Sequence, residues 1–257
     1  MAWMRRPILF LTLIAPLAAA AWVPETAQLI ARDSAQNLPP AMLSMIRHFP
    51  DPFNAGFTDA KPAQSRPELE AQLIAQGETL TGLMQQTGEL QKCAHEWGVF
   101  LRLAIEAGDP FLGAPLSPPA ARLDYDGYIG KSARKVRRAL YLDGYEASAD
   151  ERVLFTAIAN RAIRYADNVR AAYLPDGARR SELDFDDRSN VFGATMLAWN
   201  RAASDAAALA TRVWQRGGGD ITGSPFLPRP AAPAAAHAAK PKAQQGGLLP
   251  GSFENHD

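Results

Sequence analysis

The chain has 257 residues, with 27 basic and 27 acidic side chains, four histidines and one cysteine. That balance excludes generic polyanion binding, which needs a positive surplus to displace counterions, so no nucleic-acid partner is expected. The lone Cys93 excludes an intrachain disulfide and a cysteine-rich zinc site, and 47% hydrophobic residues are enough to build a buried core.

Residues 1–21 read as a secretory signal peptide. Arg5 and Arg6 supply the charged start, residues 7–17 a short apolar run, and Ala19, Ala20 and Ala21 a small-residue cleavage site. The run is about half the ~20 residues that a spanning helix needs, so no transmembrane segment is expected after processing. The paired arginines fit general or twin-arginine export, and either route predicts a periplasmic or secreted protein. Cleavage after Ala21 makes Trp22 the first mature residue and leaves a slight acidic excess.

From residue 22 to 216 the spacing predicts helices and no strands. Residues 24–36 carry Ala27, Leu29, Ile30 and Ala35 on one face. Pro39 and Pro40 open a second helix with Met42, Leu43, Met45, Ile46 and Phe49. Residues 51–67 hold Pro52, Gly56, Pro62 and Pro67 and read as a loop. A long helical stretch follows to about residue 107, with Gly77, Gly82 and Gly88 as places for a break. Its second half, from Leu90 through Trp97, Phe100 and Ile105, is apolar on most faces and is expected at the centre of a bundle. Residues 123–142 read as a basic helix bearing Lys131, Arg134, Lys135, Arg137 and Arg138. Ser148 and Glu151 match a capping box for the next helix, which Pro175-Asp176-Gly177 would stop. The last helix starts near Asp187 or Ser189 and runs to Arg216. Six or seven helices without strands predict a single-domain, all-α multi-helix bundle.

Beyond residue 216 the prolines Pro225, Pro228, Pro230, Pro233, Pro241 and Pro250 interrupt every possible helix, and the alanines between them present no periodic face. Residues 217–257 therefore read as a disordered Pro/Ala/Gly-rich tail. His237 and His256 fall in it, so only His48 and His95 belong to the folded part.

Three stretches carry a resemblance. The first is Trp22 and its helix, then Leu38-Pro39-Pro40, a helix ending in His48-Phe49, and Phe53 to Asp59. The second is Gly98-Val99-Phe100-Leu101-Arg102 through Gly108-Asp109-Pro110-Phe111. The third is Phe185-Asp186-Asp187-Arg188-Ser189-Asn190-Val191-Phe192-Gly193, followed by a helix ending in Val213-Trp214-Gln215-Arg216-Gly217-Gly218. Over residues 22–218 their order and spacing resemble the zinc-dependent phospholipase C and single-strand nuclease fold. The resemblance implies a helical bundle that cleaves phosphodiesters with three clustered zinc ions. These would be held by the amine and carbonyl of an N-terminal tryptophan, a loop aspartate, and His-x-x-x-Asp and His-x-x-x-Glu pairs. Residues four apart share a helical face, so each pair presents its ligands together, and clustered metals activate a water against the phosphoryl group.

Carried over position by position, Trp22 and Asp59 match the tryptophan and the loop aspartate. The first-helix histidine falls on Ala27 and the one after the central helix on Leu112. The two helical pairs fall on Arg102 with Glu106 and on Arg122 with Asp126. A guanidinium stays charged and has no lone pair for a metal. The register therefore predicts two intrahelical ion pairs in place of metal ligands, with Trp22, Asp59, Arg102, Glu106, Arg122 and Asp126 lining a former metal cavity. On this reading the protein is a non-catalytic homologue that has no catalytic residue, needs no cofactor, and binds an unknown ligand or a protein of the cell envelope. The alternative is an active phosphodiesterase whose Asp59, Glu106 and Asp126 retain zinc or another divalent cation. A third reading is an unrelated helical envelope protein acting through its tail.

The remaining features have plainer readings. The basic run is expected to be a solvated helix face rather than a lipid or phosphate contact. His48 is expected to be a capping or surface residue, His95 a structural or exposed one, Cys93 a buried thiol, and Trp97, Trp199 and Trp214 core aromatics. Arg102 lies in an apolar segment and needs a partner, for which Glu106 or an oxyanion ligand would serve.

Overall fold

In the computed structural model the described residues are 22–86, 88–117, 119–142, 150–173 and 185–226. The expected signal peptide, the Ser148 cap and the Pro175-Asp176-Gly177 stop lie outside them. The regular structure described is all helical. Among the described residues eight α-helices run in the order α1 Pro24–Ala35, α2 Pro40–His48, α3 Pro50–Asp59, α4 Arg66–Met84, α5 Leu90–Ala107, α6 Pro119–Ser132, α7 Glu151–Tyr173 and α8 Asn190–Arg216, with one 3₁₀ turn at Ala133–Lys135.

α5 is the axis of the bundle. It packs against α3, α4, α8 and α1, and to a smaller extent α7 and α2. From Phe100 to Ala107 every one of its residues is buried, Arg102 and Glu106 included. α8 is the second spine, an alanine-rich helix whose small side chains let α1, α5 and α7 approach closely. Trp97 sets its ring edge-on to Phe100 and 6.0 Å from Trp214. A second aromatic chain runs from Phe111 through Tyr125 and Tyr173 to Phe185 and Tyr128.

Helix ends follow local chemistry. Ser65 caps α4 and Ser189 caps α8, each hydroxyl accepting an N–H from the first turn. Asp150 does the same for α7, accepting from the Arg152 amide at 2.6 Å. The long helical stretch expected over residues 67–107 breaks between α4 and α5, where Gly88 takes a φ of 98° that other residues adopt at a steric cost.

Three expectations are corrected. Residues 51–67 are not all loop, because α3 fills 50–59. Pro50 and Pro52 sit in its first turn, where amides have no intrahelical acceptor, so neither costs a hydrogen bond. The basic segment does not stay helical to residue 142. After Ser132 and the 3₁₀ turn, α8 supplies the backbone partners that a helix would have supplied. Asn200 Oδ1 accepts from the Ala139 amide at 2.8 Å, Asn200 Nδ2 donates to the Arg137 carbonyl at 3.1 Å, and Ser204 Oγ accepts from the Tyr141 amide at 3.1 Å. The packed body also continues past residue 216, since the Trp214 indole donates to the Asp220 carbonyl and Phe226 is buried in the core. The rest of the expected tail, residues 227–257, lies outside the described residues.

Candidate functional site: a buried arginine–carboxylate network

The C-terminal half of α5 delivers ionisable groups into an apolar interior. Arg102 is 8% exposed and Glu106 is fully buried. The i,i+4 spacing stacks them on one face, and Arg102 Nε donates to Glu106 Oε1 at 2.8 Å. Arg102 Nη2 reaches the carbonyl of Trp22 at 2.9 Å, which ties the residues just ahead of α1 to the central helix across 80 residues of sequence. The Phe57 ring from α3 lies under the guanidinium, 5.8 Å from centroid to Cζ. Glu106 Oε2, buried beside it, has no hydrogen-bond partner among the described residues.

Asp109 extends the network from just beyond α5. It is fully buried and accepts from the Phe111 amide at 2.6 Å. Arg122 of α6 turns its fork onto it, with Nη2 at 3.2 Å from Oδ2 and Nη1 at 3.4 Å from Oδ1, and places its Nε 3.0 Å from Asp126 Oδ1. Arg66, at the start of α4, donates to the carbonyls of Asp109 and Ala107 at 3.1 and 3.5 Å. It thereby places a cation at the C-terminal end of α5, where the helix dipole favours one. Arg102 with Glu106, and Arg122 with Asp109 and Asp126, thus form two ion-paired groups on and just beyond α5, with Arg66 on the backbone carbonyls between them.

Burial sets the electrostatics. Desolvation pushes Glu106 above the usual carboxylate range even though Arg102 opposes it, and raises Asp126 against the pull of Arg122. Burial pulls the Arg122 guanidinium down, but Asp109 and Asp126 together outweigh it and hold it above its ordinary value. Arg66 is lowered by burial, with Asp109 opposing. A carboxyl whose folded-state pKa is raised holds its proton more tightly in the folded chain. Its contribution to stability is then complete below the ordinary carboxylate range and is lost as pH rises through the raised value. The urea midpoint of the wild type should therefore fall from about pH 4.5 toward neutrality more steeply than that of a Glu106→Gln, Asp126→Asn double variant. Equal slopes in the two proteins would remove these carboxylates as the source.

Of the six residues expected to share a cavity, Trp22, Arg102 and Glu106 meet directly, and Arg122 and Asp126 meet each other. Asp59 does not join them. It ends α3 with its side chain 67% exposed, 3.3 Å from His95 Nε2, whose Nδ1 faces Glu96. A carboxylate at that helix end gains hydration and a surface imidazole partner, so nothing draws it inward. Sequence reasoning missed Asp109 and Arg66. An aspartate next to Pro110 looks in sequence like a mere helix stop, and an arginine at a helix start carries no local sign that it caps another helix.

The zinc ions implied by the family resemblance do not fit these residues. Ala27 and Leu112 are buried side chains without donor atoms, and Arg102 and Arg122 fill the remaining histidine positions with cations. Among the described residues no group of three or more His, Cys, Asp and Glu side chains is placed to hold a metal ion. No protein-family model, curated protein or solved structure matches the chain.

Proposed function

We propose that this chain is an exported, non-catalytic helical protein of the zinc-dependent phospholipase C type, in which protein cations have replaced the metal centre and which acts in the cell envelope by binding. The observation that carries this reading is the position of Arg102. Its guanidinium takes the Trp22 carbonyl and the Glu106 carboxylate together, two groups that the resemblance would assign to a metal. A guanidinium satisfies such oxygens through directional N–H donors and stays charged at any physiological pH. It neither polarises a phosphoryl oxygen as a Lewis acid nor lowers the pKa of a bound water, so the hydrolytic step of the resembled family has no agent here. With three cations set against three carboxylates, the interior is balanced without a metal.

Metal analysis of the purified exported protein, with turnover of bis(p-nitrophenyl) phosphate measured on the same sample, tests the reading. Zinc well below one ion per chain and hydrolysis no faster than the buffer blank are expected, with or without added zinc. Stoichiometric zinc together with hydrolysis that a chelator abolishes would defeat it.

A further inference from the structure

A separate cleft opens on the face where α1, the 3₁₀ turn and α8 meet. It has a volume of roughly 620 Å³ and takes Arg32, Asp33, Arg134, Arg138 and Trp199 into its lining. Trp199, Leu29, Ala133 and Val136 give it apolar walls, and three arginines stand around them. The single acid, Asp33, is already engaged on both oxygens. Trp199 Nε1 donates to Oδ2 at 2.9 Å, and Arg138 Nε lies 2.6 Å from Oδ1. Asp33 therefore acts as an anchor for Arg138 rather than as a competitor for a ligand.

The backbone around Arg138 is held as well. The Arg137 carbonyl and the Ala139 amide both bond to Asn200, a buried residue of α8. The extended course of this segment, which replaces the expected helix, is what brings Arg138 over the cleft. Arg32 and Arg134 reach the same space from α1 and the 3₁₀ turn. Among the described residues neither has an ion-pair or hydrogen-bond partner. Three cations against one carboxylate leave a surplus of two positive charges beside an apolar wall.

We propose that this cleft binds a phosphomonoester dianion carried on an apolar group. The surplus matches the ligand's charge, guanidinium forks match phosphate oxygens, and the walls formed by Leu29, Val136 and Trp199 match its apolar part. The proposal goes beyond the binding role inferred above and is independent of whether the buried network ever held a metal.

Isothermal titration of the full processed protein with phenyl phosphate, inorganic phosphate and phenol tests it. Phenyl phosphate should bind with one-to-one stoichiometry and weaken as salt is raised, because the arginines are solvent-facing. Inorganic phosphate should bind at least several-fold more weakly, and phenol should not bind measurably. Arg32→Ala and Arg134→Ala should each weaken phenyl phosphate binding by about tenfold. Both side chains are exposed, so thermal unfolding should not change. Arg137→Ala, an exposed neighbour outside the cleft lining, should bind like wild type. Absence of phenyl phosphate binding, equal affinity for inorganic phosphate, or the same loss in all three arginine variants would each overturn the assignment.

Discussion

Replacing Arg102 with alanine should lower the unfolding free energy by about 3–5 kcal/mol, the range seen when one member of a buried ion pair is removed. Three losses coincide at this residue. Glu106 is left fully buried without its counter-ion, the Trp22 carbonyl loses its donor, and the guanidinium leaves a gap above Phe57. Glu106 must then either ionise unpaired or hold a proton, and it already tends toward the proton because burial raises its pKa. The penalty should accordingly be larger at pH 7.5 than near pH 5, about the range where a carboxyl takes up its proton. An Arg102→Met, Glu106→Leu double variant removes both charges at similar volume and should recover most of the loss. What it does not recover is the Trp22 contact, about 1 kcal/mol for one hydrogen bond. Chemical denaturation of the wild type, the Arg102→Met and Glu106→Leu single variants and the double closes the cycle. Additive single effects would show that the pair is not energetically coupled. Arg102→Lys should not rescue stability, because an ammonium lacks the planar fork that takes the carboxylate and the carbonyl at once.

The pairing of Arg102 with Glu106 and of Arg122 with Asp126 was legible in the sequence because i,i+4 spacing is a local property that any helix converts into a contact. The central place of α5 was legible for a related reason, since a segment apolar on most faces has nowhere else to go. The attachment of the second pair to the end of α5 was not legible. It depends on Asp109 meeting Arg122 of α6 and on Arg66 arriving from another helix, and both are facts of tertiary packing. The basic segment misled for the opposite reason. Its residues are acceptable in a helix, but buried Asn200 and Ser204 of α8 compete for its backbone groups and win after Ser132. Asp59 misled because a position matched by register says nothing of which way a helix end faces.

The α3 segment is the sharpest case, and it carries the other large expected effect. Its prolines and Gly56 suggested a loop, yet Gly56 is there because α3 and α5 lie backbone against backbone. A Cβ added at Gly56 would stand 1.9 Å from the His95 carbonyl oxygen, and one added at Gly98 would stand 2.1 Å from the Phe53 oxygen and 2.6 Å from the Phe57 amide nitrogen. These obstacles are main-chain atoms of packed helices, so no rotamer change relieves them. The two helices would have to separate. Alanine normally stabilises a helix interior relative to glycine by roughly 0.5–1 kcal/mol, but here that gain is overwhelmed. Gly98→Ala should destabilise by about 3 kcal/mol or more, at or beyond the usual range for overpacking. The loss should spread to the network, because α3 holds Phe57 under Arg102. Gly82→Ala supplies the control on the neighbouring helix α4, where an added Cβ meets no atom within 4 Å. Its urea midpoint should equal or slightly exceed that of the wild type. If Gly98→Ala and Gly82→Ala shift the midpoint alike, α3 does not rest on α5 at this distance, and the support for Phe57 beneath Arg102 is lost with it.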